Sequence, residues 1–239
     1  MTRVLLVVPA YNEENSIKAT VDSIRSYAPA GGYELDYIVI NDGSTDGTGA
    51  VCERENIRCL NLVQNLGIGG AVQSGYLYAM ERDFDIVVQF DGDGQHDISS
   101  LDDLLAPILE GKADFVVGSR FLEGTSSFNS TLMRRVGIRY LSFVIRLICG
   151  GRIADATSGY RAANRNAMTY LAKNYPTDYP EPESIVALLK KGFRLTEVQV
   201  NMFERTSGKS SINFGKSIYY MFKVSLAMLC TSMQRKERR

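Results

Sequence analysis

Short apolar runs recur through the first half of the chain, at Val4 to Val8, Tyr37 to Ile40, Arg58 to Leu62, Ile86 to Phe90 and Phe115 to Val117. Each is rich in Val, Ile or Leu and predicts a buried strand. Helix-compatible periodicity fills the intervals, at about residues 15–27, 46–55, 68–82 and 100–110. Strands alternating with helices predict an α/β fold: a mainly parallel central sheet flanked by helices on both faces, with ligands at the carboxyl ends of the strands. After residue 130 the pattern changes to a long cationic amphipathic helix and a "SGYR" segment. Helices near 164–174 and 182–191, a strand near 194–203 and a terminal apolar helix follow. Without a Pro/Gly/Ser-rich linker, residues 1–212 read as one domain. Residues 213–239 form an apolar helix and basic tail, packed on that domain or at a membrane interface.

Composition narrows the picture mainly by exclusion. Of 239 residues, 27 are Lys or Arg and 27 are Asp or Glu, so no global basic signature points to a nucleic-acid partner. Cys52, Cys59, Cys149 and Cys230 lack C-x-x-C or zinc-finger spacing, which suits reduced packing thiols in a cytoplasmic compartment. The first apolar run breaks at Pro9 and turns acidic, unlike an export signal.

The polar residues that carry chemistry sit where the strands end. "PAYNEEN" follows the first strand, "NDGSTDGT" the second, "NLGIGG" the third and "DGDGQHD" the fourth. In the last, Gly92 and Gly94 permit a turn that lets Asp91 and Asp93 approach one ligand. With the Gln95 amide they make a hard oxygen set suited to Mg²⁺ or Mn²⁺, completed by water and substrate phosphates. The lone histidine, His96, reads as a hydrogen-bonded turn residue without chemistry of its own. Asp46 and Thr48 are expected to cap the second helix. Asp42, at a strand's carboxyl end, is placed to recognise a nucleobase; Tyr11 can stack on or border it and Glu13 can hold ribose hydroxyls, the alternative being that "AYNEEN" is a helix N-terminus whose acids favour its dipole.

"VVPAYNEEN", "VINDGSTDGT", "NLGIGGAVQSGY", "FDGDGQHD" and "GSRF" together resemble, in order and spacing, the inverting family 2 glycosyltransferases of GT-A fold. The later "DATSGYRA" and "ERTSGKSS" are similar to the branch containing dolichyl- and polyprenyl-phosphate mannosyl- or glucosyltransferases. The resemblance implies a GT-A catalytic domain over roughly residues 1–212 that takes a nucleotide-diphosphate sugar. Pro9, Tyr11, Glu13 and Asp42 match nucleoside-binding positions. Asp91 would hold the nucleotide–metal unit, with Asp93 and Gln95 as metal ligands. Arg120 matches an arginine near the donor or acceptor phosphates, a task suited to its fixed fork of donors. Arg205 and Lys209 match a loop that closes over the diphosphate. Where similar enzymes often end that loop in lysine, this chain has Ser211.

The implied reaction is substitution at the anomeric carbon with inversion, with the charge growing on the departing diphosphate stabilised by metal and cations. A lipid-phosphate acceptor is already anionic and needs no general base. A sugar hydroxyl, as in cell-surface polysaccharide synthesis, needs one. Asp155 is then the first candidate and Glu183 the second, the alternative for either being to orient Arg161 or cap a helix. Arg135, Arg139 and Arg146 recur at helical spacings within an otherwise apolar stretch, residues 132–151, as in a helix lying at a lipid headgroup surface. The terminal helix is interrupted by Lys216 and Lys223, and its basic tail suits anionic lipids. The expected attachment is peripheral, at the cytoplasmic face of a membrane, with an integral membrane partner or a second copy as further partners.

Other classes fit less well. A processive polysaccharide synthase uses Q-x-x-R-W, and this chain has no tryptophan. "GIGGAV" lacks the third glycine of a dinucleotide fingerprint and follows the third strand. A nucleotidyltransferase places a glycine-rich basic loop after its first strand, where "AYNEEN" stands here. A non-catalytic binding subunit of a membrane glycosylation assembly has no need of an intact "DGDGQ".

Overall fold

The computed structural model describes residues 1–122, 132–203 and 214–233. β1 (Arg3–Ala10), β2 (Glu34–Asn41), β3 (Cys59–Asn61) and β4 (Ile86–Gln89) pair in parallel. β5 (Phe115–Ser119) and β7 (Leu195–Gln199) are parallel to each other. β6 (Arg161–Asn164) runs antiparallel to both β4 and β5, giving the order β3-β2-β1-β4-β6-β5-β7. The sheet is therefore mixed, and β6 is the strand the sequence pattern did not announce. "RAAN" carries no β-branched residue, and its place is set by tertiary pairing rather than by propensity.

Side chains of β1 alternate between two cores because both sheet faces are covered. Leu5 and Val7 join Ile38, Val87, Phe115 and Ala163 on one face, whereas Val4, Leu6 and Val8 join Val39, Val88, Val116 and Ala162 on the other. The second face is covered by α1 (Ile17–Ser26), α2 (Thr48–Arg54) and α4 (Leu101–Leu109). The first is covered by α3 (Gly67–Glu81), α5 (Leu132–Cys149), α6 (Arg165–Asn174), α7 (Pro180–Lys191) and α8 (Phe214–Met233). Pro180 opens α7 at a position where its missing N–H costs nothing, and Gly192 closes it at φ 83°. α8 buries Val224 and Met228 in the core shared with Leu141, Ile145 and Ile185.

Away from the strand carboxyl ends, one carboxylate ties three strands. Asp114 accepts from the Arg194 main chain (2.9 Å) and side chain and from Asn164 Nδ2 (2.9 Å), joining the starts of β5 and β7 to the end of β6. The Arg194 guanidinium holds the Asp114 carboxyl down to about 2.

Among the described residues, no helix is long and apolar enough to cross a membrane. The outward face of α5 carries Val136, Tyr140, Phe143 and Leu147 interleaved with Arg135, Arg139 and Arg146. The arginines thus share the exposed face with apolar side chains. Alongside it, α8 exposes Tyr219, Phe222, Lys223, Leu226, Leu229 and Met233. The helices meet where Ser225 Oγ contacts Tyr140 Oη at 3.1 Å.

Candidate active site

The carboxyl ends of β1, β2 and β4 surround a cavity of about 460 Å³. Its wall carries Pro9, Tyr11 and Glu13 from the end of β1 and Asp42 from β2, with Asn65, Gly67, Ile68 and Ala71 at the start of α3. Gln89, Asp91 and Asp93 come from β4 and its following turn, and Thr157, Gly159 and Glu181 from the later chain. A parallel sheet collects these residues because every βα loop leaves from the same edge.

The first two loops are stitched to each other. Asn12, at φ 57°, accepts from the main chain of Thr45 (2.8 Å), Glu13 N donates to Thr48 Oγ1 (2.8 Å), and Gly47 N donates to Glu14 (2.8 Å). The N-cap of α2 is Gly47, without a side-chain cap; Asp46, one residue ahead of it, accepts from Thr48 N at 2.9 Å and from Glu14 N, and Thr48 is the first helical residue, not a cap. Asp42 is buried, 3% exposed, and takes the Leu66 N–H at 2.7 Å. That approach depends on Gly43, at φ 63°, where a Cβ would stand 2.6 Å from Asn65 N.

Asp91 is held from three sides. Gln89 Nε2 lies 3.3 Å from its Oδ1, His96 Nε2 lies 3.4 Å from its Oδ2, and its own N–H donates to His96 Nδ1 at 3.0 Å. Because Nδ1 accepts, the neutral ring carries its proton on Nε2. Burial pushes the His96 pKa below the ordinary imidazole value. Asp93 accepts the Gln95 N–H at 3.0 Å, closing the turn with Gly94 at φ 76°. Two carboxylates on one wall fit a hard divalent ion that draws its other ligands from phosphate and water. No group of three or more His, Cys, Asp or Glu side chains among the described residues makes a metal site on its own.

Gln95, expected as a metal ligand with Asp91 and Asp93, does not line the cavity beside them. Its main chain is engaged by Asp93 and Phe203. Asp155 departs more clearly from the role of base. Fully buried, it meets Arg120 in a two-point contact, Nε to Oδ2 at 2.7 Å and Nη2 to Oδ1 at 2.8 Å. A carboxylate so engaged and off the cavity wall is not positioned to take a substrate proton. Its partner is Arg120 rather than Arg161, whose buried guanidinium instead donates to Ala156, Ser158, Glu181 and Ser184. Arg120 is 5% exposed and also stands off the wall, and its contact Thr157 is what reaches the cavity. Glu183 accepts from Tyr179 N and Thr231 Oγ1, binding α7 to α8. Arg205 and Lys209 lie outside the described residues.

The residue missed is Glu181, two positions before Glu183. It lies on the cavity wall, and burial pushes its pKa above the ordinary glutamate value. Both acids occupy the first turn of α7, and only the helix's rotation decides which faces the cavity.

A mixed α/β sheet with an acidic cavity at its parallel strand ends is the GT-A architecture of nucleotide-sugar-dependent transferases. It aligns at TM-score 0.74 and 20% identity with the crystal structure of glucosyl-3-phosphoglycerate synthase from Mycobacterium tuberculosis in complex with Mn²⁺, UDP and phosphoglyceric acid, covering 99% of this chain and 80% of that one. Residues 5–171 match glycosyl transferase family 2, and the chain belongs to that family. It is 30% identical over 224 residues to the undecaprenyl-phosphate mannosyltransferase of Micrococcus luteus, covering 89% of this chain and 88% of the relative. The polyprenol monophosphomannose synthase of Mycolicibacterium smegmatis is 27% identical, covering 93% of this chain and 86% of the relative.

Proposed function

We propose that this glycosyltransferase moves a hexose, with inversion, from a uridine diphosphate sugar to a polyprenyl phosphate at the cytoplasmic face of a membrane, using Mg²⁺ or Mn²⁺. The observation that carries the donor half is the shared wall: Asp91 and Asp93 face the same cavity as Asp42, Tyr11 and Glu13. In this reading Asp42, Tyr11 and Glu13 bind the nucleoside, and Asp91 and Asp93 hold the metal. Bound there, a divalent ion stabilises negative charge on the leaving diphosphate. UDP with Mn²⁺ in the fold relative supports the choice of base and metal. The acceptor half is supported by the names of the two relatives above and by the cationic, apolar outer face of α5 and α8. A phosphate oxygen attacks the anomeric carbon, the bond from that carbon to the diphosphate oxygen breaks, and its electron pair leaves with the nucleotide.

Glu181 favours a second reading, transfer to a hydroxyl such as that of a cell-surface polysaccharide. A carboxylate on the cavity wall can take the hydroxyl proton as the new bond forms. The fold relative's complex with phosphoglyceric acid also keeps a non-lipid acceptor in view.

Purified protein, radiolabelled UDP-glucose, Mg²⁺ and undecaprenyl phosphate in detergent test both readings. The expected result is an organic-extractable labelled lipid that chelator abolishes. Lipid transfer retained within a few-fold by Glu181→Gln excludes a required base. Label carried instead to a saccharide hydroxyl, and lost by about 10²–10⁴ in kcat in Glu181→Gln, would support the second reading. Absence of any labelled lipid with all UDP- and GDP-hexoses would overturn the lipid-phosphate reading.

A further inference from the structure

The chain's only histidine touches the acidic turn twice, and both contacts are to one residue. His96 Nδ1 takes the Asp91 N–H at 3.0 Å, and His96 Nε2 stands 3.4 Å from Asp91 Oδ2. The ring itself is fixed by its neighbours. It stacks on Tyr160 at 4.7 Å with 10° between the planes and meets the Phe90 ring edge-on at 5.4 Å, and it is only 5% exposed. The His96 backbone forms an antiparallel bridge with Met202, so the main chain behind the ring is also anchored. On the opposite side, Gln89 Nε2 approaches Asp91 Oδ1 at 3.3 Å, and Tyr175 Oη donates to Gln89 Oε1 at 3.4 Å. An aspartate at a strand end has two torsions free to turn its carboxylate away from the cavity, and the Gln89 hydrogen bond on one oxygen with the His96 ring against the other restricts both.

We propose that His96 is a positioning residue, which clamps the main chain and carboxylate of Asp91 so that the carboxylate faces the cavity beside Asp93. Gln89 closes the clamp from the other oxygen. The inference rests on the donor-site reading of Asp91. Outer groups that orient a metal-binding carboxylate typically carry ten- to a hundredfold in affinity, whereas a histidine that merely fills a turn carries none.

Two variants separate the limbs of the clamp. His96→Asn keeps an acceptor near the Nδ1 position and lacks a donor that reaches Oδ2, and His96→Gln keeps the longer donor and lacks the acceptor. Binding of UDP with Mn²⁺ is measured by calorimetry for each, beside thermal melting. His96→Asn is expected to bind about tenfold more weakly with chelator-treated melting close to wild type, and His96→Gln to recover part of that loss. The ¹⁵N spectrum of the single imidazole gives a readout independent of folding: a proton on Nε2 in the free protein, and a shifted Nε2 signal on adding Mg²⁺ with UDP. Wild-type affinity in His96→Asn, or a ring protonated on Nδ1, overturns the proposal while leaving the donor site intact. Failure of the wild type to bind UDP with either metal overturns the donor-site reading and this inference with it.

Discussion

The guanidinium of Arg120 and the carboxylate of Asp155 meet in a two-point ion pair, with one 5% exposed and the other fully buried. Asp155 receives a third contact from the Arg120 main-chain N–H at 3.3 Å, so the segment after β5 is pinned to the segment before β6. Removing the carboxylate takes the two-point counter-charge from a buried guanidinium. Asp155→Asn is expected to cost about 3–5 kcal/mol, seen as a fall in Tm of roughly 10 °C. Unchanged melting with lost turnover would instead return Asp155 to the chemistry.

Gly159 faces the Asp91 clamp. A Cβ there would stand 2.7 Å from Asp91 Oδ2 and 3.2 Å from Gln89 Nε2, and its φ lies outside the left-handed region, so alanine meets no backbone strain. Gly159→Ala is expected to weaken UDP binding with Mn²⁺ about tenfold while Tm changes little, as read by calorimetry beside thermal melting. Wild-type affinity would mean that Asp91 is free to move aside.

The Arg194 guanidinium beside it holds the Asp114 carboxyl down to about 2 in the folded chain, below the ordinary aspartate value of about 3.9. A depressed folded value means the unfolded chain binds the proton first. The contribution is therefore present above about pH 4 and lost as pH falls toward 2. It amounts to about 1–2 kcal/mol after allowance for solvent screening around the exposed Arg194. Asp114→Asn should flatten the urea-denaturation free energy between pH 4 and 2 relative to wild type. Parallel curves for the two proteins would remove the assignment.

Phe143 and Leu226, 61% and 51% exposed, lie on the outer faces of α5 and α8. Neither helix contains an acidic residue, so the face complements an anionic surface. Phe143→Asp with Leu226→Asp should reduce co-sedimentation with phosphatidylglycerol vesicles about tenfold or more at low salt, with UDP binding unchanged. Equal sedimentation would assign the apolar stripes to another partner.

Strand ends were the legible part of this sequence. Pro9, Tyr11, Glu13, Asp42, Asp91 and Asp93 all reach one cavity, since a parallel strand's position and its ligand edge both follow from the apolar run before it. What failed depended on contacts between distant segments. β6 has too weak a pattern to be seen without β4 and β5 on either side. Asp155 and Arg120 are 35 residues apart, and nothing in either local motif says that they neutralise each other. Glu181 and Glu183 differ only in helical phase, which the α7 contacts decide.

The strand order also governs the sequence of events as the chain leaves the ribosome. β1 to β4 pair among themselves, so a four-stranded half-sheet is complete once Gln89 has emerged. β5 emerges next, yet its neighbours in the finished sheet are β6 and β7, both still unmade. Until residues 161–164 arrive, the open flank of β4 exposes unpaired main-chain groups and β5 has nowhere to dock. Four residues of "RAAN" therefore decide when the two halves become one, and slow elongation before them would prolong the interval in which the nascent chain is prone to pair with another.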